Sequence, residues 1–251
     1  MSHSEITSNS QAWESLNAEE RHHVKYPAET VVRFVKKNFK KGSKILDDGC
    51  GAGRHVYMLA DEGYRPSGID ITESGIKVTK QLIEPYFKPN YIKANIKRAS
   101  CDDLPFATDY FDGVISYGVL YYMDDIDIQK AIDEIYRVLK PNGKMMLHIR
   151  TLDDYRYDKN NIDETCVVYQ HGKECIAHEC FISEGNTTKS ANKEKGMKMH
   201  FFDRKEIECR CYKFADLQIN TEKIYHDNDS YADVNFIVEG RKPLGEVRYG
   251  I

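Results

Sequence analysis

Three glycines at alternate positions, Gly49, Gly51 and Gly53, constrain the fold of this 251-residue chain more than any other feature. They follow a short apolar run over residues 44–47, and a helical pattern begins at Arg54. A turn without Cβ atoms lets a ligand lie against the backbone, and the start of the following helix offers free amide donors. The three glycines therefore predict a ligand-binding turn between a buried strand and a helix.

Strand-like and helix-like segments alternate around this turn. The hydrophobic spacing predicts helices over residues 28–39, 54–62, 73–86, 126–139 and 203–214. Strands are predicted over residues 44–47, 66–71, 91–99, 111–117, 144–149, 217–225 and 232–239, with a turn at residues 141–143. Such alternation is typical of a parallel sheet covered by helices. The predicted fold is α/β and Rossmann-like, with a seven-stranded, mostly parallel sheet, an antiparallel C-terminal strand pair and an inserted lid.

The same rhythm divides the chain into four parts. Residues 1–43 are expected to form an N-terminal helical cap, and residues 44–150 the ligand-binding α/β core. Residues 151–199 are polar and show no clear element, which is typical of a functional lid or an added subdomain. Residues 200–251 are expected to complete the core with a helix and the last two strands.

Composition argues against several classes of protein. The 36 basic and 40 acidic residues give a net charge of -4, which disfavours a protein that neutralises nucleic-acid phosphates. No run approaches the roughly 18 consecutive apolar residues of a membrane helix, and residues 1–20 lack the apolar segment of a secretory signal. Seven irregularly spaced cysteines are typical of reduced thiols. We therefore expect a cytoplasmic monomer or homodimer that binds neither nucleic acid nor membranes.

The residues around the turn indicate the kind of ligand. A dinucleotide fingerprint needs a sixth-position glycine where this chain has Arg54. Asp47 and Asp48 would repel a pyrophosphate above the turn, whereas a cationic group without phosphate would be favoured there. Asp70 ends the second strand, where a carboxylate is placed to accept both ribose hydroxyls. Its alternative role is to cap the next helix, in competition with Thr72.

These motifs, in this order, resemble those of class I S-adenosylmethionine-dependent methyltransferases that act on small molecules. The matching motifs are Asp47-x-Gly49-x-Gly51-x-Gly53, Gly68-Ile69-Asp70, Leu104-Pro105-Phe106, Tyr110-Phe111-Asp112-Gly113-Val114, Val119-Leu120-Tyr121-Tyr122 and Arg137-Val138-Leu139-Lys140-Pro141-Asn142-Gly143. The resemblance covers residues 44–150 well, and His200-Phe201-Phe202 with the final strands more loosely. It implies that S-adenosylmethionine is the cofactor and that residues 44–150 bind it.

The resemblance also implies which residues contact the cofactor. Those residues are Tyr26, Asp47, Gly49, Cys50, Gly51, Asp70, Ile71, Cys101, Asp102, Ser116 and Tyr117. Ser100 stands where similar proteins often carry Asp, so the contact to the adenine amino group falls to either Ser100 or Asp102. Tyr26 would offer its hydroxyl to the cofactor carboxylate and Trp13 would cover the pocket mouth, unless both simply pack against their neighbours.

The candidate general bases indicate which kind of acceptor is methylated, because a hydroxyl acceptor needs a base and an amine does not. His148, near the tip of the fifth strand, and His200, where the chain leaves the lid, are the candidate catalytic residues. Tyrosines stand where many similar proteins have two histidines. The residues expected to bind the acceptor are Tyr121, Tyr122, Arg150 and Arg156, of which Arg156 would pair with a phosphate or carboxylate.

The lid also holds soft metal ligands. Cys166, Cys175, His178 and Cys180 lie close in sequence, but their spacing matches no paired zinc arrangement, so no metal is predicted.

The predicted function is methylation of a small polar molecule, because a large polar lid suits a buried small acceptor better than an open nucleic-acid groove. O-methylation is favoured, for instance of a sugar or nucleotide-linked intermediate of surface polysaccharide synthesis. N-methylation of a small amine and a non-catalytic cofactor-binding module remain alternatives. A nicotinamide oxidoreductase is disfavoured by Arg54 and the paired acids at the turn.

Overall fold

The structure is a computed structural model that describes residues 8–20, 23–86, 94–158, 162–170, 173–182, 194 and 196–245. The helices are α1 (Ser8–Ala18), α2 (Glu29–Asn38), α3 (Arg54–Asp61), α4 (Glu73–Ile83), α5 (Asp125–Val138) and α6 (Arg204–Arg210), with 3-10 turns at Glu84–Tyr86 and Leu120–Tyr122. The strands are β1 (Lys44–Asp48), β2 (Arg65–Asp70), β3 (Asn95–Arg98), β4 (Phe111–Tyr117), β5 (Leu139–Arg150), β6 (Ile162–Gln170), β7 (Lys173–Phe181), β8 (Lys198–Phe201), β9 (Ala215–His226) and β10 (Tyr231–Arg241). Within these ranges no helix has the length and apolar character needed to cross a bilayer.

The main sheet has seven strands in the order β3-β2-β1-β4-β5-β10-β9. Strands β1 to β5 run parallel to one another, and β10 is antiparallel to both of its neighbours. The predicted Rossmann-like fold and its antiparallel C-terminal pair are therefore confirmed. Because the strand order reverses between β1 and β4, a crevice opens at their carboxyl ends, where open α/β sheets bind ligands.

Apolar side chains cover both faces of the main sheet. One cluster packs α5, through Ile132 and Ile135, against one face of β4 and β5. The opposite face packs against α2 and α3, through Val35 and Leu59. Alternation along β5 sends Met146 to the α2 and α3 side while its sequence neighbours face α5. Both faces of the sheet are covered by apolar side chains, which explains why the central strands are nearly continuous runs of apolar residues.

Strand β5 begins earlier than the sequence predicts. Residues 141–143 were expected to form a turn, but they lie within the strand. Asn142 adopts a φ of 67°, and its backbone N–H donates to the carbonyl of Lys242 at 2.9 Å. The register against β4 shifts between Phe111 and Gly113. A local irregularity in the strand thus accommodates residues that are typical of a turn.

Two other predicted elements are shorter in the structure. Strand β3 covers four residues, and residues 91–93 of the predicted strand lie outside the described residues. Helix α6 ends at Arg210 rather than at residue 214. Its beginning is as predicted, because the side chain of Asp203 accepts a hydrogen bond from the backbone N–H of Glu206 at 2.8 Å.

Helix α1 lies within the segment expected to form a helical cap, but no bounds were predicted for it, and polar contacts hold it against α4. The carboxylate of Glu14 accepts hydrogen bonds from the backbone N–H groups of Glu73 and Ser74, at 2.8 and 3.0 Å, in the first turn of α4. The amide of Asn17 donates to the hydroxyl of Thr72 at 3.0 Å. A helix held in this way needs no continuous apolar stripe, so its sequence shows no helical periodicity.

The predicted lid, residues 151–199, contains most of a second sheet with the strand order β6-β7-β8. Strands β6 and β7 pair antiparallel from Ile162 opposite Cys180 to Gln170 opposite Lys173. The sheet connects back to the core just after β8, where the N–H of Phe202 donates to the carbonyl of Arg150 at 2.9 Å. The lid is therefore a folded unit attached to the carboxyl end of β5.

Candidate functional site

The glycine turn lies where the strand order of the main sheet reverses. Gly49 and Gly53 have φ values of 79° and 87°, which favour glycine. A Cβ atom at Gly49 would lie 2.2 Å from a methyl group of Val119, and one at Gly53 would lie 2.6 Å from the hydroxyl of Thr79. Val119 and Thr79 therefore pack too closely for any side chain at these two positions, whereas a Cβ atom at Gly51 would lie 3.9 Å from Oδ1 of Asn17.

Asp70, at the end of β2, ties this turn to the start of α4. One carboxylate oxygen accepts from the N–H of Gly51 at 2.8 Å, and the other accepts from the N–H and hydroxyl of Thr72 at 2.9 and 2.6 Å. Thr72, and not Asp70, is the N-cap of α4. The N–H groups of Gly49 and Cys50 both donate to the carbonyl of Ile69, at 3.0 and 2.7 Å. Burial raises the pKa of Asp70 above its ordinary value.

Asp47 presents a buried, unsatisfied carboxylate oxygen at this turn. Its side chain is 1% exposed, and its Oδ2 has no hydrogen-bond partner among the described residues. Its Oδ1 lies 3.5 Å from Nδ1 of His55. The N–H of Ala28 donates to Nε2 of the same ring at 3.2 Å, which assigns the ring proton to Nδ1, facing Asp47. A cationic ligand group would satisfy the unpaired oxygen.

Asp48 points to the other side of β1 and has a different environment. It is fully buried, and neither carboxylate oxygen makes a hydrogen bond of acceptable geometry to a described residue. The thiol of Cys101 and the hydroxyl of Ser116 lie next to it. Burial raises the pKa of Asp48 to about 7. This carboxyl is therefore close to half protonated at neutral pH.

The predicted adenine contacts lie in the loops after β2 and β3. Ile71 is half-buried, and its carbonyl accepts a hydrogen bond from Arg98 at 2.9 Å. Ser100 and Asp102 are both half-buried in the loop after β3, so the structure leaves both available for the adenine amino group. Cys101 between them is buried among apolar residues, and burial raises the pKa of its thiol well above the ordinary value.

Tyr117 ends β4 and lies within an unusual set of rings. It stacks on His148 with the ring centroids 4.0 Å apart, and His55 contacts it edge-on at 5.3 Å. The guanidinium of Arg54 lies 5.2 Å from the same ring. Nε2 of His148 is 3.5 Å from the carboxylate of Glu222, and its Nδ1 has no hydrogen-bond partner among the described residues. Burial lowers the pKa of His148, so its imidazole is neutral at pH 7.

His200, the other candidate base, is placed in a buried ion-pair network. Its side chain is 0% exposed, with Nε2 2.6 Å from Glu206 and Nδ1 3.6 Å from Glu179. Burial opposes a charge on this ring, but the two carboxylates outweigh burial and raise the pKa of His200. An imidazolium fixed between two carboxylates is a poor proton acceptor. The catalytic role of His200 stays a prediction that this geometry does not favour.

One cluster among the described residues has the spacing of metal ligands, namely Asp125, His200 and Glu206. The guanidinium of Arg210 already pairs with both carboxylates of the cluster. The guanidinium of Arg210 therefore already supplies the positive charge that a metal ion would bring to these carboxylates. The side chains of Cys166, Cys175 and Cys180 lie outside the described residues, while Nδ1 of His178 is 3.3 Å from the hydroxyl of Tyr157.

The predicted acceptor residues lie together beyond the ends of β4 and β5. The guanidinium of Arg150 is 4.7 Å from the ring of Tyr121, which is buried. Tyr122 packs on Tyr121 with the ring centroids 4.4 Å apart. Glu194, from the lid, pairs with Arg150 at 2.7 Å and with Arg156 at 2.7 Å. The structure thus brings all four predicted residues into one buried group.

The two N-terminal aromatic residues differ in their placement. Trp13 contacts the ring of Tyr122 edge-on, with the centroids 4.8 Å apart, and its role in covering the pocket mouth stays a prediction. The side chain of Tyr26 is 72% exposed, and only its backbone carbonyl contacts the site, by accepting from Arg54 at 3.4 Å. A contact from the Tyr26 hydroxyl to the cofactor is not formed in this arrangement and stays a prediction.

Several residues of the site were not predicted from the sequence. Glu14 and Asn17 belong to the polar dock of α1, and Glu222 reaches His148 from the edge strand β9. Glu194 lies in a polar segment without periodicity. Each contact joins segments far apart in the chain, so no local pattern marks it.

Comparison with known families decides the assignment of this site. Residues 46–147 match the family model described as "Methyltransferase domain". This segment is a class I S-adenosylmethionine-dependent methyltransferase domain. It runs from β1 into β5, so it contains the glycine turn, Asp70 and Tyr117.

Individual relatives show the same family with different acceptors. The chain is 30% identical over 142 residues to the O-methyltransferase resE from Aspergillus sclerotiorum, and the match covers 56% of this chain and 52% of the relative. It is 32% identical over 123 residues to the ubiquinone/menaquinone biosynthesis C-methyltransferase UbiE from Geotalea daltonii, covering 46% and 49%. The chain therefore spans about half the length of these curated relatives.

A solved structure shows the same fold over most of the chain. A SAM-dependent methyltransferase from Methanosarcina mazei superposes with a TM-score of 0.62 at 20% identity, covering 84% of this chain and 98% of that chain. The common fold extends beyond the segment that the family model matches.

The residues of the site fit the cofactor of this family. The unsatisfied oxygen of Asp47 suits the amino group of the methionine part, and the space beside Gly51 suits its close approach. Asp70 at the end of β2 is placed for the ribose hydroxyls, with its bonds to Gly51 and Thr72 as the competing partners. S-adenosylmethionine is the methyl donor of the class I methyltransferases.

Proposed function

We propose that this protein transfers a methyl group from S-adenosylmethionine to a hydroxyl of a small polar molecule. The observation that carries the proposal is a neutral, buried imidazole, His148, stacked on Tyr117 at the end of β4. The acceptor group formed by Tyr121, Tyr122 and Arg150 lies beyond the same strand ends. A cofactor pocket, a base and a polar acceptor chamber are thereby side by side, as O-methyl transfer requires.

His148 is proposed as the general base. Its Nε2 faces Glu222 at 3.5 Å, so the neutral ring places its proton there and leaves the lone pair on Nδ1. As the acceptor oxygen attacks the methyl group, Nδ1 takes the hydroxyl proton, and the carboxylate of Glu222 stabilises the resulting imidazolium. The stacking on Tyr117 fixes the plane of the ring during this transfer.

The remaining residues bind and orient. The bound cofactor supplies an activated methyl group whose sulfur loses its positive charge during transfer. Alignment of the acceptor with that methyl group accounts for most of the rate, up to roughly 7–11 kcal/mol of the barrier. Trp13 and Tyr122 close the acceptor chamber with apolar rings and exclude water from it.

Turnover with a panel of hydroxyl and amine acceptors tests the proposal, with S-adenosylhomocysteine release as the readout. The panel includes sugars, nucleotide-linked sugars and small amines. We expect release with a hydroxyl acceptor, and a loss of at least about 10²-fold in kcat for His148→Gln. The affinity for S-adenosylhomocysteine is expected to stay within twofold, because His148 is assigned to proton transfer. The matched control is His226→Gln on β9, where the imidazole is half-exposed.

The pH profile separates a base from a packing residue. For the wild type kcat/KM is expected to fall as pH drops through the lowered pKa of His148, and His148→Gln is expected to lose this dependence. Turnover of amines alone, with no effect of His148→Gln, would mean N-methylation. Cofactor binding without release on any acceptor class would mean a binding module.

A further inference from the structure

Glu194 occupies a site with the geometry of an anion receptor. Its Oε1 accepts from NH2 of Arg150 at 2.7 Å and from the hydroxyl of Tyr122 at 2.5 Å. Its Oε2 accepts from NH1 of Arg150 at 3.3 Å and lies 2.7 Å from Nε of Arg156. The paired contacts to Arg150 form the fork-to-fork arrangement in which guanidinium groups recognise carboxylates.

The two guanidinium groups of this site are buried, and carboxylates other than Glu194 also contact them. The side chains of Arg150 and Arg156 are 8% and 5% exposed. Asp154, 0% exposed, lies 3.0 Å from Arg156 and 3.9 Å from Arg150, and Asp233 lies 2.8 Å from Arg156. These two acids contact the guanidinium groups independently of Glu194 and help to hold their orientation.

The charge balance indicates which anion fits. Two arginines face three carboxylates, those of Asp154, Asp233 and Glu194. A monoanionic ligand that replaces Glu194 keeps the buried charge unchanged. A phosphate dianion would add a further negative charge in a site of low polarity, which is costly. The site therefore favours a carboxylate over a phosphate.

The position of the site makes it part of the acceptor chamber. Arg150 is the last residue of β5 and lies over the ring of Tyr121, and Tyr122 contacts Trp13. Glu194 comes from the lid, whereas the donors other than Arg156 belong to the methyltransferase core as predicted. A lid carboxylate thus fills a receptor built by the core.

We infer that Arg150, Arg156 and Tyr122 form the subsite for a carboxylate of the methyl acceptor, and that Glu194 is its internal stand-in. This inference rests on the proposed function, since it assigns the chemical class of that acceptor. The acceptor is a small hydroxylated carboxylic acid. Its carboxylate displaces Glu194 and takes over its four contacts, which places the hydroxyl relative to the reacting methyl group.

Propionate is the probe for the receptor itself, because it has the carboxylate and carbon chain of the Glu194 side chain. We expect Glu194→Ala, saturated with S-adenosylhomocysteine, to bind propionate at least tenfold more tightly than the wild type in calorimetric titrations. Propionamide, which lacks the charge, is expected to gain no affinity. The double variant Glu194→Ala with Arg150→Gln is expected to lose the gain. Glu62→Gln, which removes a surface carboxylate paired with Lys36, is the control for net charge.

Two results would overturn the inference. One is a folded Glu194→Ala variant that binds propionate no better than the wild type. The other is equal binding by the double variant, which would place the ligand elsewhere. If Glu194→Ala does not fold, the isosteric Glu194→Gln takes its place in the same titrations.

Turnover provides a second measurement on the wild type. Matched acceptors with and without a carboxylate, such as glucuronate and glucose or 4-hydroxybenzoate and phenol, are compared by kcat/KM. We expect at least a tenfold preference for the carboxylate member, with Arg150→Gln raising KM more than it lowers kcat. A preference for neutral acceptors refutes the subsite and leaves the methyltransferase assignment intact. Absence of release on all acceptors counts against the proposed function, and the propionate titrations then decide the subsite alone.

Discussion

Two neighbouring carboxyl groups at the end of β1 have opposite properties because a strand directs successive side chains to opposite faces. Asp47 lies beside His55, at the turn that is predicted to bind the positively charged part of the cofactor. Asp48 lies on the other face beside Cys101 and Ser116, among groups that offer it no compensating charge. Burial without a cationic partner favours the neutral form of a carboxyl. Asp47 is therefore suited to binding a cation, whereas Asp48 makes folding sensitive to pH.

Replacing Asp48 tests this difference. Burial raises the pKa of Asp48 to about 7 in the folded chain, against an ordinary value of 3.8, so between these values the folded chain holds a proton that the unfolded chain has lost. The free energy of unfolding of the wild type therefore decreases as pH rises through this window, by up to about 1.4 kcal/mol per pH unit. Asp48→Asn is neutral throughout, so we expect it to be more stable than the wild type at pH 8, with a smaller difference at pH 5. Urea unfolding at both pH values measures the effect.

The exposed Asp103→Asn is the control for this experiment, since it removes a carboxyl that is not buried. A difference between Asp48→Asn and the wild type that is the same at pH 5 and pH 8 would contradict the assignment of a raised pKa. It would show that the substitution acts through packing alone.

At the residue scale, the sequence indicated those candidate site residues that lie in consecutive elements of the chain. The glycines of the turn and Asp70 are marked by spacing alone, because a strand, a turn and a helix are consecutive in the chain. His148 and His200 could not be separated from the sequence. Only the tertiary structure shows that Glu206 and Glu179 surround His200, while His148 has a single carboxylate beside it.

At the element scale, polar contacts of helix α1 link the start of α4 to the glycine turn. Glu14 caps the first turn of α4, and Asn17 lies beside both Thr72 and the glycine turn. The hydrogen bonds from Glu73 and Ser74 outweigh burial and lower the pKa of Glu14. The carboxylate is therefore the form that holds α1 in place.

Glu14→Ala is expected to loosen this dock. Loss of the cap on α4 costs about 0.5–2 kcal/mol, the range of helix N-caps. We expect the affinity for S-adenosylhomocysteine to fall about threefold to thirtyfold, because α1 lies against the turn that binds it. Calorimetric titration of the cofactor product measures the loss. Ser15→Ala on the same helix is the control, since its hydroxyl bonds only within α1, and an equal loss for both variants would contradict a specific role of the cap.

The main sheet was predictable because each strand and helix carries its own hydrophobic period. Strand β4 and helix α5 place most of their predicted apolar residues in the core, but Ile126 at the start of α5 is exposed. The bounds of helix α1 and the lid sheet were not predicted, for different reasons. Polar contacts hold α1, so no stripe marks it. In β6 and β7 the pairing joins two polar segments, where the composition indicates a loop although the strands pair over their whole length.

For the molecule as a whole, two buried ionic groups connect the lid to the core. The first is the acceptor group, where Glu194 meets Arg150. The second contains His200 on β8, Glu179 on β7 and Glu206 on α6, with Arg210 pairing back to the start of α5. The first lies beside the chemistry of the site, and the second holds the lid sheet against α6. We therefore expect a substitution in the first group to change activity and a substitution in the second group to change stability.

His200→Gln distinguishes a supporting histidine from a catalytic one. The neighbouring carboxylates raise the pKa of His200 above its ordinary value of 6.5, so the charged ring stabilises the folded chain fully below that value. This stabilisation is lost as pH rises through the raised pKa. Breaking a buried pair costs about 3–5 kcal/mol, so we expect a large loss of stability for the variant at pH 6 and a smaller one at pH 9. Chemical unfolding at both pH values measures it.

Activity completes the argument about the lid. If His200 only fixes the lid sheet, kcat per folded molecule stays within about threefold of the wild type under conditions where His200→Gln is folded, while His148→Gln loses about 10²-fold. A loss in kcat of similar size for both variants, with the stability of His200→Gln unchanged, would make His200 the base and require the lid to move its ring into the acceptor chamber. Comparison of the two variants therefore tests whether His200 stabilises the lid sheet while His148 acts as the general base.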